Sequence, residues 1–166
     1  MRFGLWVADR ASALALHHAY EPRGYGKMVE INHELALAGI VLFLLGLLNG
    51  FVIPLGRSPR LGLSAHLTGV QSGTFLIAMA VVWPHIVIPG SLGPFMSAAL
   101  SVSLYLLWLA LCLAGLLGAG RGLPIAGGGI ETTPFHQRVV SVLLIAGTLG
   151  TTLATAAIAI VMTIQP

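Results

Sequence analysis

The side chain in this 166-residue chain best placed to do chemistry is His66. It lies near the start of the uncharged, proline-free stretch Leu61–Trp83, within Arg60-Leu-Gly-Leu-Ser-Ala-His66-Leu-Thr-Gly-Val-Gln-Ser-Gly. A bilayer is crossed by a helix of about 20 apolar residues, and a titratable group inside such a helix is costly and marks a functional site by default. Gly62, His66, Gly69 and Gly73 recur three and four apart, so they share one helical face. One imidazole cannot build a zinc site, which takes three or four ligands. It is enough for an iron porphyrin, whose ring brings its own four nitrogens. The glycines would then make room for the ring, and the sixth position of the iron would stay open. The competing reading is a hydrogen bond from His66 to a neighbouring helix, and spacing alone leaves both standing.

Other catalytic sets are ruled out by what the chain lacks. No acid lies between Glu34 and Glu131, so neither a Ser-His-Asp arrangement nor a carboxylate pair can form within the apolar region. The groups left are a metal, the Tyr105 phenol, hydroxyls, Gln71 and Asn49. They suit an isomerisation that needs a Lewis acid and neither a redox partner nor an external base. Asn49 reads foremost as a bond to a neighbouring helix. Cys112, the single cysteine, reads as a small buried hydrophobe. His17 and His18 are adjacent, hence about 100° apart on a helix, and make a poor bidentate site. The glycine-rich run Gly118–Gly129 lacks the Lys-Ser/Thr ending of a phosphate-binding loop.

The elements that must position these groups follow from composition. Hydrophobic residues make up 57% of the chain and charged residues 8%, against about a quarter charged in a soluble domain. The fold class is therefore an all-α membrane protein. It has four transmembrane helices, at about 35–55, 61–83, 95–117 and 139–164, in a domain 35–166. Residues 1–34 form a separate N-terminal segment, in which Phe3, Trp6, Val7, Ala11 and Leu14 recur at helical spacing. This predicts a short helix lying in the membrane interface, and acids among these residues argue against a cleaved leader. The net charge of +3 comes from Lys and Arg flanking the spans, which fits a juxtamembrane pattern and not nucleic acid. Arg57, Arg60, Arg121 and Arg138 fall after spans one and three, which favours both termini facing away from the cytoplasm.

The block Phe43-Leu-Leu-Gly-Leu-Leu-Asn-Gly50, Ile53-Pro54, Pro59-Arg-Leu-Gly-Leu-Ser-Ala-His66-Leu-x-Gly69, Gly73-Thr-Phe-Leu-Ile-Ala and Trp83-Pro84 resembles the hydroxylaminobenzene mutases. That family is similar in turn to the styrene oxide isomerases. The resemblance implies a small, multi-pass isomerase of the bacterial inner membrane that assembles as a homotrimer and acts on a small aromatic substrate. Its reaction would move the hydroxyl of an aryl hydroxylamine to the ortho carbon, giving a 2-aminophenol, or turn an aryl epoxide into an aldehyde. It implies haem b, with His66 as axial ligand, Gly62, Gly69, Gly73 and Arg60 around the ring, and ferric iron as Lewis acid. Tyr105 and Ser72 would be the catalytic side chains. Ser72 stands where the family usually has Asn, and Leu107 replaces the amide of its Tyr-x-Asn-Trp pattern. A haem-binding or small-ligand-binding membrane protein without catalysis, or a purely structural helical oligomer, are the alternatives.

Overall fold

Caps and prolines set where each helix begins. The computed structural model describes residues 30–120 and 132–164, and among them the chain is helical with no strands. Helix α1 runs His33–Val52. Asn32 caps it, its Oδ1 accepting from the Leu35 N–H at 3.0 Å, with Glu34 in the first turn against the positive end of the dipole. A 3-10 turn, Ile53–Leu55, holds Pro54 and ends the span. Helix α2 spans Pro59–Val82 and ends in the turn Trp83–His85. Helix α3 spans Leu92–Leu117 and stops at Gly118, whose φ of 71° is left-handed and whose N–H returns to the Ala114 carbonyl. Helix α4 spans Pro134–Thr163, with Thr133 Oγ1 accepting from the His136 N–H at 3.4 Å.

Every helix starts ahead of the boundary that apolar content sets, α4 by five residues (Pro134 against 139). The reason is common to α2 and α4. Proline suits the first helical position, where its missing N–H bonds nothing in any case, so the helix extends past the apolar run into its polar cap. Residues 1–29, where the sequence predicts the interfacial helix with Trp6, His17 and His18, lie outside the described residues. So do 121–131 of the glycine-rich connection.

All four helices are long and apolar enough to cross a membrane. They alternate in direction and pack as a row: α1 on α2, α2 on α3, α3 on α4, with α1 touching α3 lightly. Among the described residues no packed interface joins α4 to α1 or α2. Leu35, Leu42, Leu76 and Leu100 form the buried centre. Small residues bring the backbones together. A Cβ at Gly39 would lie 2.8 Å from the Gly73 carbonyl oxygen, and one at Gly115 would lie 2.8 Å from the Gly62 nitrogen. Residues that close leave no space for a side chain, so glycine fixes the helix separation.

Candidate functional site

His66 sits on α2 facing the far half of α1. Its Nδ1 is 2.8 Å from the Gly46 carbonyl oxygen. A carbonyl only accepts, so Nδ1 carries the proton and donates it, which leaves the lone pair on Nε2. The ring lies against Gly50, where an added Cβ would stand 3.2 Å from Nδ1. The residue is half-buried, and the described residues give Nε2 no hydrogen-bond partner. The helix-to-helix bond, one of the two readings that spacing left open, is thus made, and it leaves Nε2 without a partner among the described residues. One nitrogen holds the ring, and that bond fixes the tautomer in which the other can bind a metal.

The glycines of α2 do something other than the sequence predicts. A Cβ at Gly69 would meet the Gly46 Cα at 2.6 Å and the Trp108 ring at 2.9 Å. At Gly73 it would meet the Gly39 carbonyl oxygen at 2.7 Å, and at Gly62 the Ile53 side chain at 3.4 Å. The space above each is filled by α1, or by the Ile53 turn, and at Gly69 by an indole as well. Gly62, Gly69 and Gly73 are therefore positions of close helix packing, and the room for a macrocycle that their spacing implied is not there. The cradle of the imidazole is on α1, at Gly46 and Gly50. The small-x3-small pattern of these two glycines was the signal for it.

The remaining sequence-derived residues are not brought to His66. Ser72 is six residues on, about 120° round the helix, in the buried stripe of Ala65, Gly69 and Leu76. Arg60 is exposed in the first turn of α2, two turns before His66, and its carbonyl accepts from Ser64 Oγ at 3.1 Å. Tyr105 Oη donates to the Ala38 carbonyl at 2.8 Å. Ala38 is eight residues before Gly46 on α1, so the phenol and the imidazole are separated by on the order of 12 Å along the helix axis. Within one protomer they do not share a site.

Two polar groups nearby have structural explanations and one has none. Asn49 Nδ2 donates to the Gly62 carbonyl at 3.0 Å and its Oδ1 lies 3.6 Å from the Cys112 thiol, so it ties α1 to α2 and α3. That is the neighbouring-helix bond its position indicated, and Cys112 is buried as its apolar surroundings indicated. Trp108 Nε1, pressed against Gly69, is buried without a partner. No group of three or more His, Cys, Asp or Glu that could hold a metal ion occurs among the described residues.

Comparison with known proteins agrees with this architecture. The profile of a family described as styrene oxide isomerase matches residues 31–163, the whole four-helix unit. The chain is similar to hydroxylaminobenzene mutase HabA of Ectopseudomonas oleovorans, at 41% identity over 108 residues, which is 64% of this chain and 80% of that one. It is similar also to hydroxylaminobenzene mutase HabB of the same organism, at 46% identity over 112 residues, covering 66% of that protein's length. No solved structure matches. The extent of the profile match and the identity to HabA place the chain in the styrene oxide isomerase family, a family of isomerases and mutases.

Proposed function

We propose that the protein is a multi-pass isomerase of the bacterial cytoplasmic membrane that rearranges an aryl hydroxylamine to a 2-aminophenol, or a related aryl epoxide to an aldehyde. His66 would hold haem b in a site completed by a second copy, in a homotrimer. The observation that carries this reading is the state of His66: one imidazole, its Nδ1–H committed to Gly46, its Nε2 lone pair at the protomer surface. A porphyrin needs no more than that from the protein on its proximal side. The bound iron would supply a Lewis acid for the substrate oxygen.

The chain's own groups account for the rest. The Gly46 carbonyl orients the imidazole and raises its basicity. Either rearrangement consumes no co-reactant. In one, the N–O bond breaks, a C–O bond forms at the ortho carbon and that carbon's proton ends on nitrogen. In the other, an epoxide C–O bond breaks as a hydride shifts within the substrate. The chain's residues are left to orient the substrate and keep water away. Apolar helix faces exclude the water that would trap positive charge developing on an aryl ring. Tyr105 Oη donates its hydrogen bond to the Ala38 carbonyl, so its oxygen is available to accept a hydrogen bond from a substrate N–OH. The distance between Tyr105 and His66 within a protomer supports a site shared between copies. Leu107 does not argue against catalysis, because its backbone lies in the α3–α4 seam, where a Cβ at Gly147 would stand 2.6 Å from its nitrogen. An amide there would face α4.

The test is a visible spectrum of the detergent-purified protein beside His66→Ala, with turnover of phenylhydroxylamine and of styrene oxide by the same membranes. The expected result is a Soret band and turnover in the wild type, both lost in His66→Ala. A colourless wild type that stays colourless after haem addition overturns the haem assignment. A coloured wild type that turns over neither compound leaves a haem-binding protein without this activity.

A further inference from the structure

We infer that the crevice along α3 is the docking lane of the aryl substrate, entered from the Glu34 end of the bundle, and that the Ser101 hydroxyl is the group that reads the substrate's polar substituent. The inference rests on the isomerase reading for the identity of the occupant.

Two cavities lie end to end on this helix. One, about 200 Å³, lies between the N-terminal parts of α1 and α3 and includes Glu34, Ser97 and Ser101. The other, about 310 Å³, is an open groove along α3 alone, bordered by Ser101, Val102, Tyr105, Leu106, Trp108 and Leu109. Ser101 borders both. Both are open along one side, so a flat monocyclic arene can lie against α3 in either and neither demands a larger guest.

The serines of α3 separate by what their hydroxyls do. Ser97 Oγ returns to the Pro94 carbonyl at 3.0 Å and Ser103 Oγ to the Ala99 carbonyl at 2.7 Å. Such back-bonding is how a helical serine in apolar surroundings satisfies itself. Ser101 makes no hydrogen bond to any described residue, although an unpaired hydroxyl away from water is costly. Tyr105, one turn on, has spent its proton on Ala38 and offers only an oxygen lone pair. The groove along α3 thus presents one hydroxyl that donates or accepts, one acceptor, and an aromatic ring, with no charge. That set fits a neutral arene carrying one small hydroxyl-like group. At the mouth, Glu34 disfavours anions, and the described arginines, Arg57, Arg60 and Arg138, all sit at the other end of the helix axes.

The test uses full-length protein in nanodiscs, with Trp108 fluorescence quenched by 4-nitrobenzyl alcohol or by nitrobenzene, which lacks the hydroxyl. Trp108→Phe identifies the Trp108 share of the signal. Wild type is expected to quench saturably with both and to bind the alcohol about five-fold tighter, the ordinary worth of one hydrogen bond. Ser101→Ala should equalise the two probes, Ser101→Thr should restore the preference, and Ser101→Leu should abolish saturation with both. Equal affinities in the wild type, a preference that survives Ser101→Ala, or saturable quenching in Ser101→Leu overturns the inference. Turnover of phenylhydroxylamine separates this from the functional reading. A wild type that binds as described without turnover ends the isomerase reading alone. Turnover whose KM is unchanged in Ser101→Ala and Ser101→Leu ends the docking lane alone.

Discussion

His66 owes its orientation to one carbonyl and one missing side chain. The Gly46 oxygen fixes the tautomer, and the bare Cα of Gly50 gives the ring its resting surface. Gly50→Val places branched carbon where the imidazole lies, at an initial 3.2 Å from Nδ1. The ring must turn and its bond to Gly46 must break. Loss of a partner that orients a metal-binding histidine costs roughly 10–100-fold in affinity or activity. If the proposed haem site is right, haem retention in Gly50→Val, read as the ratio of Soret to protein absorbance, should fall by about that range while helix content by circular dichroism stays the same. Asn49 acts differently, as a tie between helices. Asn49→Leu should leave the spectrum in place and lower stability by about 1 kcal/mol, the scale of interhelical side-chain bonds in membranes. Thermal melts in detergent measure it.

At the scale of elements, glycine marks where two helices touch, and its cost of replacement varies with what stands above it. At Gly73 a Cβ meets backbone, the Gly39 carbonyl oxygen at 2.7 Å, and backbone cannot swing aside. Gly73→Val therefore forces α1 and α2 apart and should destabilise by about 1–3 kcal/mol or more, as overpacking does. At Gly93, in the first turn of α3, the nearest atom to an added Cβ is 3.8 Å away on Ile88. Gly93→Ala should be neutral or stabilising by up to about 1 kcal/mol, because alanine is the better helix former. Melting midpoints of the two variants in the same detergent should move in opposite directions, or the second should not move.

For the four-helix unit as a whole, the described residues leave the outer helices little covered. In the most apolar windows of α1 and α4 only 17% of residues are buried, against 44% in α3. The outer helices thus offer their faces to lipid or to another copy. Gln71 is informative here. It stands at the middle of the α2 span, exposed, and its amide makes no hydrogen bond to any described residue. Inside hydrocarbon an unsatisfied polar group costs several kcal/mol. The proposed assembly supplies a partner from a second copy. Gln71→Leu should then shift the detergent-solubilised protein toward smaller species, measured by light scattering on a sizing column and by cross-linking in membranes. An unchanged mass distribution would take Gln71 out of the interface.

The sequence by itself determined the class, the number of spans and the Asn32 cap, and it singled out His66 for attention. Apolar content over 20-odd residues is a one-dimensional property, and so are a cap such as Asn32 and a breaker such as Pro54. Helix starts at Pro59 and Pro134 were readable too, but only by weighing the proline's fit at the first helical position above the polar residues around it. What tertiary structure alone decided is which surface each small residue meets. Spacing puts Gly62, Gly69 and Gly73 on the same side of α2 as His66. It cannot say that α1 and the Trp108 indole already occupy the space above Gly69, or that the imidazole leans on Gly46 and Gly50, both far away in the chain. The separation of Tyr105 from His66 was equally hidden, since it depends on the level at which α3 crosses α1. Periodicity reports direction around one helix axis, whereas a site is made by the relative heights and distances of several axes, and those are set by packing.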